Sequence, residues 1–373
     1  MIYFDYAANT PVDSQVLDAF VEATRDYIAN PNSSHSLGQE AKTRMDQATE
    51  KIASLLQVQP EEIIYTSGAT ESNNLAIKGV AYEYRKQGRH IITTYLEHSS
   101  VLGAITALQN EGFDVDFVDV NKDGHIDLDH LRELLREDTI LVSICYVDSE
   151  IGLLQDITKI GTMLKSYPNC HFHVDATQAV GKVPVSFEDI DLITFSPHKF
   201  YGINGCGVLI RKEKVLLQTL IHGGISTTTF RSGTPMLAFA VSIEKALTLA
   251  YENLEDRLSY VREMNEYIQK NLSKYPKVTI NSTKASVPYI LNLSIKGVRS
   301  GAIQDEMDRL GVIISTKSAC CHVNTPSKPV YALTKDRKAA LSTLRVSLSH
   351  LTTKEEVEQF LEAFKQCYHN LVK

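Results

Sequence analysis

No apolar run in the 373-residue chain is long enough to cross a bilayer. The N-terminus opens on the strand-like MIYFDY and carries no charged–apolar–small targeting pattern. A membrane protein is therefore not expected, and a cytoplasmic one is. Clusters of basic residues are also missing and the net charge is −7, which argues against sequence-independent binding of nucleic acid. Cysteine is sparse. Cys145, Cys170, Cys206, Cys320, Cys321 and Cys367 are scattered through a long chain, a pattern unlike a disulfide framework. No internal repeat or low-complexity segment is visible. What is present is an ordinary globular composition, 43% hydrophobic and 22% charged, enough for a large core in about two domains.

Residues 1–12 read as an extended arm ending at Pro11, and helical spacing begins at Ser14. A second helix is expected over Leu37–Leu56. Strands and helices then alternate, with strands at Ile63–Thr66, His90–Thr94, Val115–Val118 and Ile140–Tyr146. The helices between and after them are Ala69–Lys86, His98–Asn110, Leu128–Arg136 and Ile157–Ser166. This rhythm predicts an α/β fold, a mostly parallel sheet with helices on both faces. A long helical region from Leu237 to about Tyr275 leads away from it. Beyond Pro276 the pattern changes to a smaller α+β unit. The expected division is a large domain over 13–255 and a small domain made of 1–12 and 256–373.

The most informative stretch is HFHVDATQAVGKVPVSFEDIDLITFSPHKFYGINGCG, His171 to Gly207. One short apolar run ends at Asp175 and another leads into Ser196-Pro197-His198-Lys199. Both endings place polar groups where an open α/β sheet binds ligands. A carboxylate on one strand end and a lysine after the next suit pyridoxal phosphate, which needs an amine to link to and an acid for its pyridine nitrogen. Thr66-Ser67-Gly68-Ala69-Thr70 joins a strand to a helix, whose free N–H groups would suit the phosphate; by itself it is an ordinary helix start.

HVDATQ and SPHK, together with FDYAANTPV, TSGATESNNLAIKG, LEHSSV, DTILVSICYVDSEIG, RSGT, KSAC and LRVSLS in that family's order, resemble the cysteine desulfurases. These belong to the class V group of fold-type I pyridoxal-phosphate enzymes, and the resemblance spans nearly the whole chain. It implies that Lys199 carries the cofactor, His98 stacks on its ring and shuttles protons, and Asp175 pairs with the pyridine nitrogen. Gln178 and Ser149 would reach the ring hydroxyl. Ala69, Thr70, Ser196 and His198 would hold the phosphate, with Thr234 arriving from a second subunit, which implies a homodimer. Arg345 would bind the carboxylate of L-cysteine, with Ser149 beside the substrate, and Cys320 would take the sulfur as a persulfide. The 24 residues between Cys320 and Arg345 resemble the long-loop branch, which passes sulfur to an iron–sulfur scaffold or a tRNA-thiolation enzyme.

The departures from that family lie around substrate and phosphate. Asp148-Ser149 stands where two asparagines are usual, Ser149 being short enough to need a bridging water. Asn9 replaces a threonine and Ser349-His350 a Gly-Arg pair, while the stretch after His222-Gly223-Gly224 has lost its charges. Lys317 replaces a glycine. Its charge would favour a Cys320 thiolate, against the plainer expectation of a solvated loop lysine. Cys321 reads as a passive neighbour, since a bond to Cys320 across ~3.8 Å between α-carbons would be strained. Another class V lyase, such as a selenocysteine lyase, or a weakly active sulfur-relay paralogue are the alternatives. No metal site is expected. Asp119–His130 resembles a calcium loop but lacks the closing glutamate and follows a strand, and Cys170-His171-Phe172-His173 lacks a second ligand pair.

Overall fold

The computed structural model describes residues 1–224, 228–317 and 325–372. In chain order the elements are β1 (Ile2–Tyr3), α1 (Ser14–Asp26), α2 (Ser36–Leu56), β2 (Ile63–Thr66), α3 (Ala69–Tyr84), β3 (His90–Thr93), α4 (Ser99–Asn110), β4 (Asp114–Phe117), α5 (Leu128–Leu134), β5 (Thr139–Cys145), α6 (Ile157–Leu164), β6 (His171–Asp175), β7 (Leu192–Phe195) and β8 (Gly207–Arg211). Then follow α7 (Leu237–Glu252), α8 (Leu254–Leu272), β9 (Val278–Ile280), β10 (Ile290–Ile295), α9 (Ser300–Arg309), β11 (Val312–Ile313), α10 (Lys328–Thr334), α11 (Arg337–Leu341), β12 (Thr343–Ser347) and α12 (Lys354–Leu371).

Seven strands form the main sheet in the order β2-β8-β7-β6-β5-β3-β4. Its strands other than the edge strand β4 are short, largely apolar runs because both faces are covered. Within β5, Ile140 and Leu141 pack into one cluster with Val80 and Val101, while Val142 and Ile144 pack into another with Phe172 and Phe195. The pairs β3–β4, β3–β5, β5–β6 and β6–β7 are parallel. The two pairs of β8 are antiparallel. Strand β8 is absent from the sequence reading, and its antiparallel course makes the sheet mostly parallel, as expected, and not wholly so.

The helical region after Leu237 is two helices, not one, broken at Asn253. The predicted helix from Leu128 stops at Leu134. A three-stranded antiparallel sheet, β12-β10-β9, lies between residues 278 and 347, and β1 pairs in parallel with β11. The N-terminal arm thereby reaches back to the C-terminal strands, with Asp5 bridging Ser347. Among the described residues, no helix is long and apolar enough to cross a membrane.

Candidate active site

Strands β5, β6 and β7 end in register, Cys145 opposite Asp175 and Asp175 opposite Thr194. Their carboxyl ends open on a cavity of about 390 Å³. Ala69 and Thr70 line it, as do His98, Ser149, Asp175, Gln178, His198, Lys199 and Arg345. These residues come from six segments of the chain, so the tertiary fold alone brings them together.

Lys199 closes the short turn after β7, and its Nζ donates to the carbonyls of Ala7 and Ala8 at 2.9 and 2.6 Å. The arm thus crosses directly over the amine. Asp175, at the end of β6, accepts from Asn73 Nδ2 (2.8 Å) and from the Thr177 N–H (3.0 Å), which fixes both carboxylate oxygens. The same Asn73 nitrogen reaches Ser100 Oγ at 2.9 Å. Ser100 is in turn bonded to His98, which caps α4. Because the Ser100 N–H donates to His98 Nδ1, the neutral ring carries its proton on Nε2. Burial, and secondarily the charges of Lys199 and Arg345, hold the His98 pKa below the ordinary histidine value; Asp175 works against them.

His198 is held by Ser196, whose hydroxyl donates to Cys206 O at 2.8 Å and so accepts from His198 Nδ1–H, also at 2.8 Å. Ser196 stands behind His198 and is not among the residues lining the cavity. Burial and the charges of Lys199 and Lys182 push His198 down to about 4. Its Nε2 is therefore bare in this arrangement.

The turn at Gly68 starts α3 against β8. A Cβ on Gly207 would come within 2.6 Å of the Gly68 carbonyl carbon, so the two backbones touch there. Glu71, in the first turn of α3, pairs with Arg231 of the RSGT segment at 2.9 Å. Thr234 of that segment is exposed and does not line this chain's cavity.

Arg345, central in β12, is 2% exposed. Its Nη1 donates to Ser149 O (2.8 Å) and its Nη2 to Asp5 Oδ1 (2.7 Å), while Nε is buried without a partner among the described residues. The Ser149 carbonyl is thus engaged, and the residue lines the cavity. Asp148 beside it is fully buried and accepts from the backbone N–H groups of Glu150, Ile151 and Gly152. Burial raises its pKa to about 7. Asp148 therefore holds the loop that presents Ser149 and does not face the cavity itself.

Cys320 and Cys321 lie outside the described residues, as does Thr227. Lys317 does not: the expectation of a solvated lysine is corrected here. It is 8% exposed, and its ammonium donates to Thr325 O at 2.8 Å and Thr325 Oγ1 at 2.6 Å. Two residues further on, Ser327 caps α10 and donates to buried Glu150. Residues 317 and 325 are thus joined across the KSAC segment. Lys317→Ala is expected to cost about 0.5–1.5 kcal/mol through loss of its hydrogen bonds to the exposed Thr325, read as a lower midpoint in urea; an unchanged midpoint would mean the contact contributes nothing to the fold.

Asn73, Thr177, Glu97 and the Ala7–Ala8 carbonyls were missed as site residues, although all of them sit inside stretches that carry the family resemblance. Glu97, fully buried, accepts from Thr94 Oγ1 and the Cys145 N–H, and burial pushes it up to about 8. It is a protonated prop behind the cavity at neutral pH. The calcium-like loop is built on its own contacts: Asp127 caps α5, Asp123 accepts from the His125 N–H, and Lys335 pairs with Asp119. His173 is enclosed between Ser143 and Thr194.

The site residues fit pyridoxal phosphate. The start of α3 offers N–H groups to a phosphate, Asp175 offers an oriented carboxylate, and Lys199 offers an amine. Thr177 Oγ1 lines the same wall, buried with no hydrogen-bond partner among the described residues. An orphaned buried hydroxyl of this kind is costly unless a ligand uses it.

Comparison with known proteins agrees. The aminotransferase class-V family matches residues 2–360. A relative described as cysteine desulfurase IscS, from Neisseria meningitidis serogroup C, is 39% identical, covering 98% of this chain and 91% of its own. A solved NifS-like protein superposes with a TM-score of 0.93 at 34% identity, covering 99% of this chain and all of the other. The structure described as SspA in complex with cysteine gives a TM-score of 0.82 at 32% identity, over 95% of this chain and all of its own.

Proposed function

The chain belongs to the class-V aminotransferase family, and on that footing we propose that it is a pyridoxal-phosphate-dependent cysteine desulfurase. It converts L-cysteine to L-alanine and retains the sulfur as a persulfide on Cys320. What supports this reading is the convergence of Lys199, Asp175, His98 and Arg345 on one cavity, in a chain whose relatives are cysteine desulfurases.

Pyridoxal phosphate, when bound, supplies an electron sink for the carbon next to the amino group. The protein's part is to place groups around it. Lys199 presents its amine from under the Ala7 and Ala8 carbonyls. Asp175, oriented by Asn73 and Thr177, would hold the pyridine nitrogen of the bound cofactor. His98 moves a proton at Nε2, its Nδ1 being committed to Ser100. Ala69 and Thr70 offer backbone N–H groups to the phosphate. For His198 to join them it must take a second proton at Nε2, which a nearby dianion favours. Arg345 receives the substrate carboxylate, exchanging or sharing the Asp5 contact; a guanidinium suits that planar partner. The Cys320 thiolate then attacks the substrate sulfur. The C–S bond breaks, its electron pair and a proton go to the carbon that becomes alanine's methyl, and the sulfur stays on Cys320.

The remaining elements of the reading are a homodimer, an acceptor protein and a cytoplasmic location. The exposed position of Thr234, away from its own cavity, supports its delivery to a partner's site. The sulfur goes to an iron–sulfur scaffold or a tRNA-thiolation enzyme. The division into 13–255 and 1–12 plus 256–373 is supported by the separate three-stranded sheet and the β1–β11 pairing.

The test is incubation of the purified protein with L-cysteine and a dithiol reductant. Equal amounts of alanine and sulfide are expected. A cofactor-loaded protein that produces neither would overturn the activity, and strong preference for selenocysteine in competition would move it to a selenocysteine lyase.

A further inference from the structure

Lys182 has no part in the chemistry above. It lies in the turn after β6, buried, and the charges acting on it are the positive ones of Lys199 and Arg345, with no carboxylate ion pair among the described residues. A buried ammonium without a counter-charge is costly, and an apolar side chain of its size would pack there at lower cost. Burial, with Lys199 and Arg345 nearby, pushes Lys182 down to about 7.

Its hydrogen bond shows what it touches. Nζ donates to Gln178 Oε1 at 2.7 Å, one helical turn back. With that oxygen taken, the Gln178 amide has one orientation, and its Nε2 donates to Ala7 O at 2.9 Å. Lys199 Nζ donates to the same Ala7 oxygen, also at 2.9 Å. The two lysines therefore stand at opposite ends of one line: Lys182 amine, Gln178 amide, Ala7 carbonyl, Lys199 amine.

We propose that Lys182 is a positioning residue for Lys199, locking the Gln178 amide onto the shared Ala7 carbonyl and opposing a second positive charge at the Lys199 nitrogen. Other charged groups also face Lys199: Asp175 from β6, His98 from α4, His198 in its own turn, and Arg345 from β12 with its partner Asp5. Asp175 favours a positive charge at Lys199 and Arg345 disfavours it, so Lys182 adds to the second side. Through a hydrogen-bonded line inside a low-dielectric interior, such a charge is felt more strongly than across water. The inference depends on Lys199 being the cofactor-linked amine.

The experiment uses the cofactor-loaded protein and reads the pH midpoint of its visible absorbance change, with no substrate present. Lys182→Met removes the amine at similar volume, Lys182→Gln removes only the charge, and Lys182→Arg keeps it. Both neutral variants are expected to raise the midpoint by up to about one pH unit, because Lys182 holds its proton up to about pH 7 and without it the Lys199 nitrogen keeps its own to higher pH; Lys182→Arg, charged at every pH, is expected to lower the midpoint. If Lys182→Met fails to fold, Lys182→Gln carries the test. Neutral variants with the wild-type midpoint would overturn the proposal. A wild-type protein with no visible band, or one whose borohydride-trapped cofactor sits on another lysine, would instead overturn the underlying assignment of Lys199.

Discussion

Cys320→Ala is expected to take up cofactor and bind L-cysteine as the wild type does, yet to release sulfide about 10³-fold more slowly or not at all. Only a thiolate attacks sulfur at a useful rate, and no other described cysteine can replace it. Cys145, Cys170, Cys206 and Cys367 are all buried. Burial raises the Cys145 thiol well above its ordinary range and also raises Cys170. It pushes Cys206 to about 12 and Cys367 to about 11. At neutral pH these carry almost no thiolate, although Cys145 lines the cavity. Cys321 is the one thiol adjacent in sequence. A residual rate that disappears in the double variant Cys320→Ala, Cys321→Ala would show that it receives sulfur when its neighbour is gone. Release at the wild-type rate from Cys320→Ala alone would show that the nucleophile is misassigned.

Lys199→Ala is expected to remove the visible absorbance of the loaded protein and to lower turnover on the order of 10⁴-fold, since no amine remains where the cofactor must be exchanged. The measurement is borohydride reduction followed by peptide mapping: wild type should carry the label at Lys199 and the variant none. The nearest rival is Lys182. It is fully enclosed, and Gln178 lies between it and the shared carbonyl. A label that moves to Lys182 in the variant, with activity retained, would reverse the roles of the two lysines. Loss of the label together with loss of the folded state, seen by circular dichroism, would leave the trapped wild-type peptide as the deciding result.

Much of the large sheet was legible because its inner strands are buried on both sides and so read as short apolar runs between amphipathic helices, whereas the edge strand β4, Asp-Val-Asp-Phe, is partly exposed. The positions of β2, β3, β5, β6 and β7 follow from that pattern. Strand direction does not. β8 is as apolar as its neighbours, and its pairings with β7 and with β2, the latter more than a hundred residues earlier, make it antiparallel. The break at Asn253 was equally silent, because the helical spacing continues on both sides and no glycine or proline marks it. Lys317 was misread for a related reason. A charged residue in a loop is usually solvated, and nothing local announces that Thr325 will close over it.

The sequence by itself determined the chemistry available: an acid and a lysine at successive strand ends, a histidine before a helix, a glycine turn that exposes N–H groups, and a late arginine. Residue type and short-range pattern suffice for these, because strand ends and helix starts follow from periodicity over a few residues. Only the tertiary structure decided how they are held. Ala7 and Ala8 meet Lys199 from more than 190 residues away, and Asp5 meets Arg345 from 340. Lys182 meets Gln178 locally, but it acquires a role only because the N-terminal arm brings the Ala7 carbonyl between that amide and Lys199. Contacts of this range have no local signature: they arise when the arm pairs with β11 and β12 and is drawn across the mouth of the sheet.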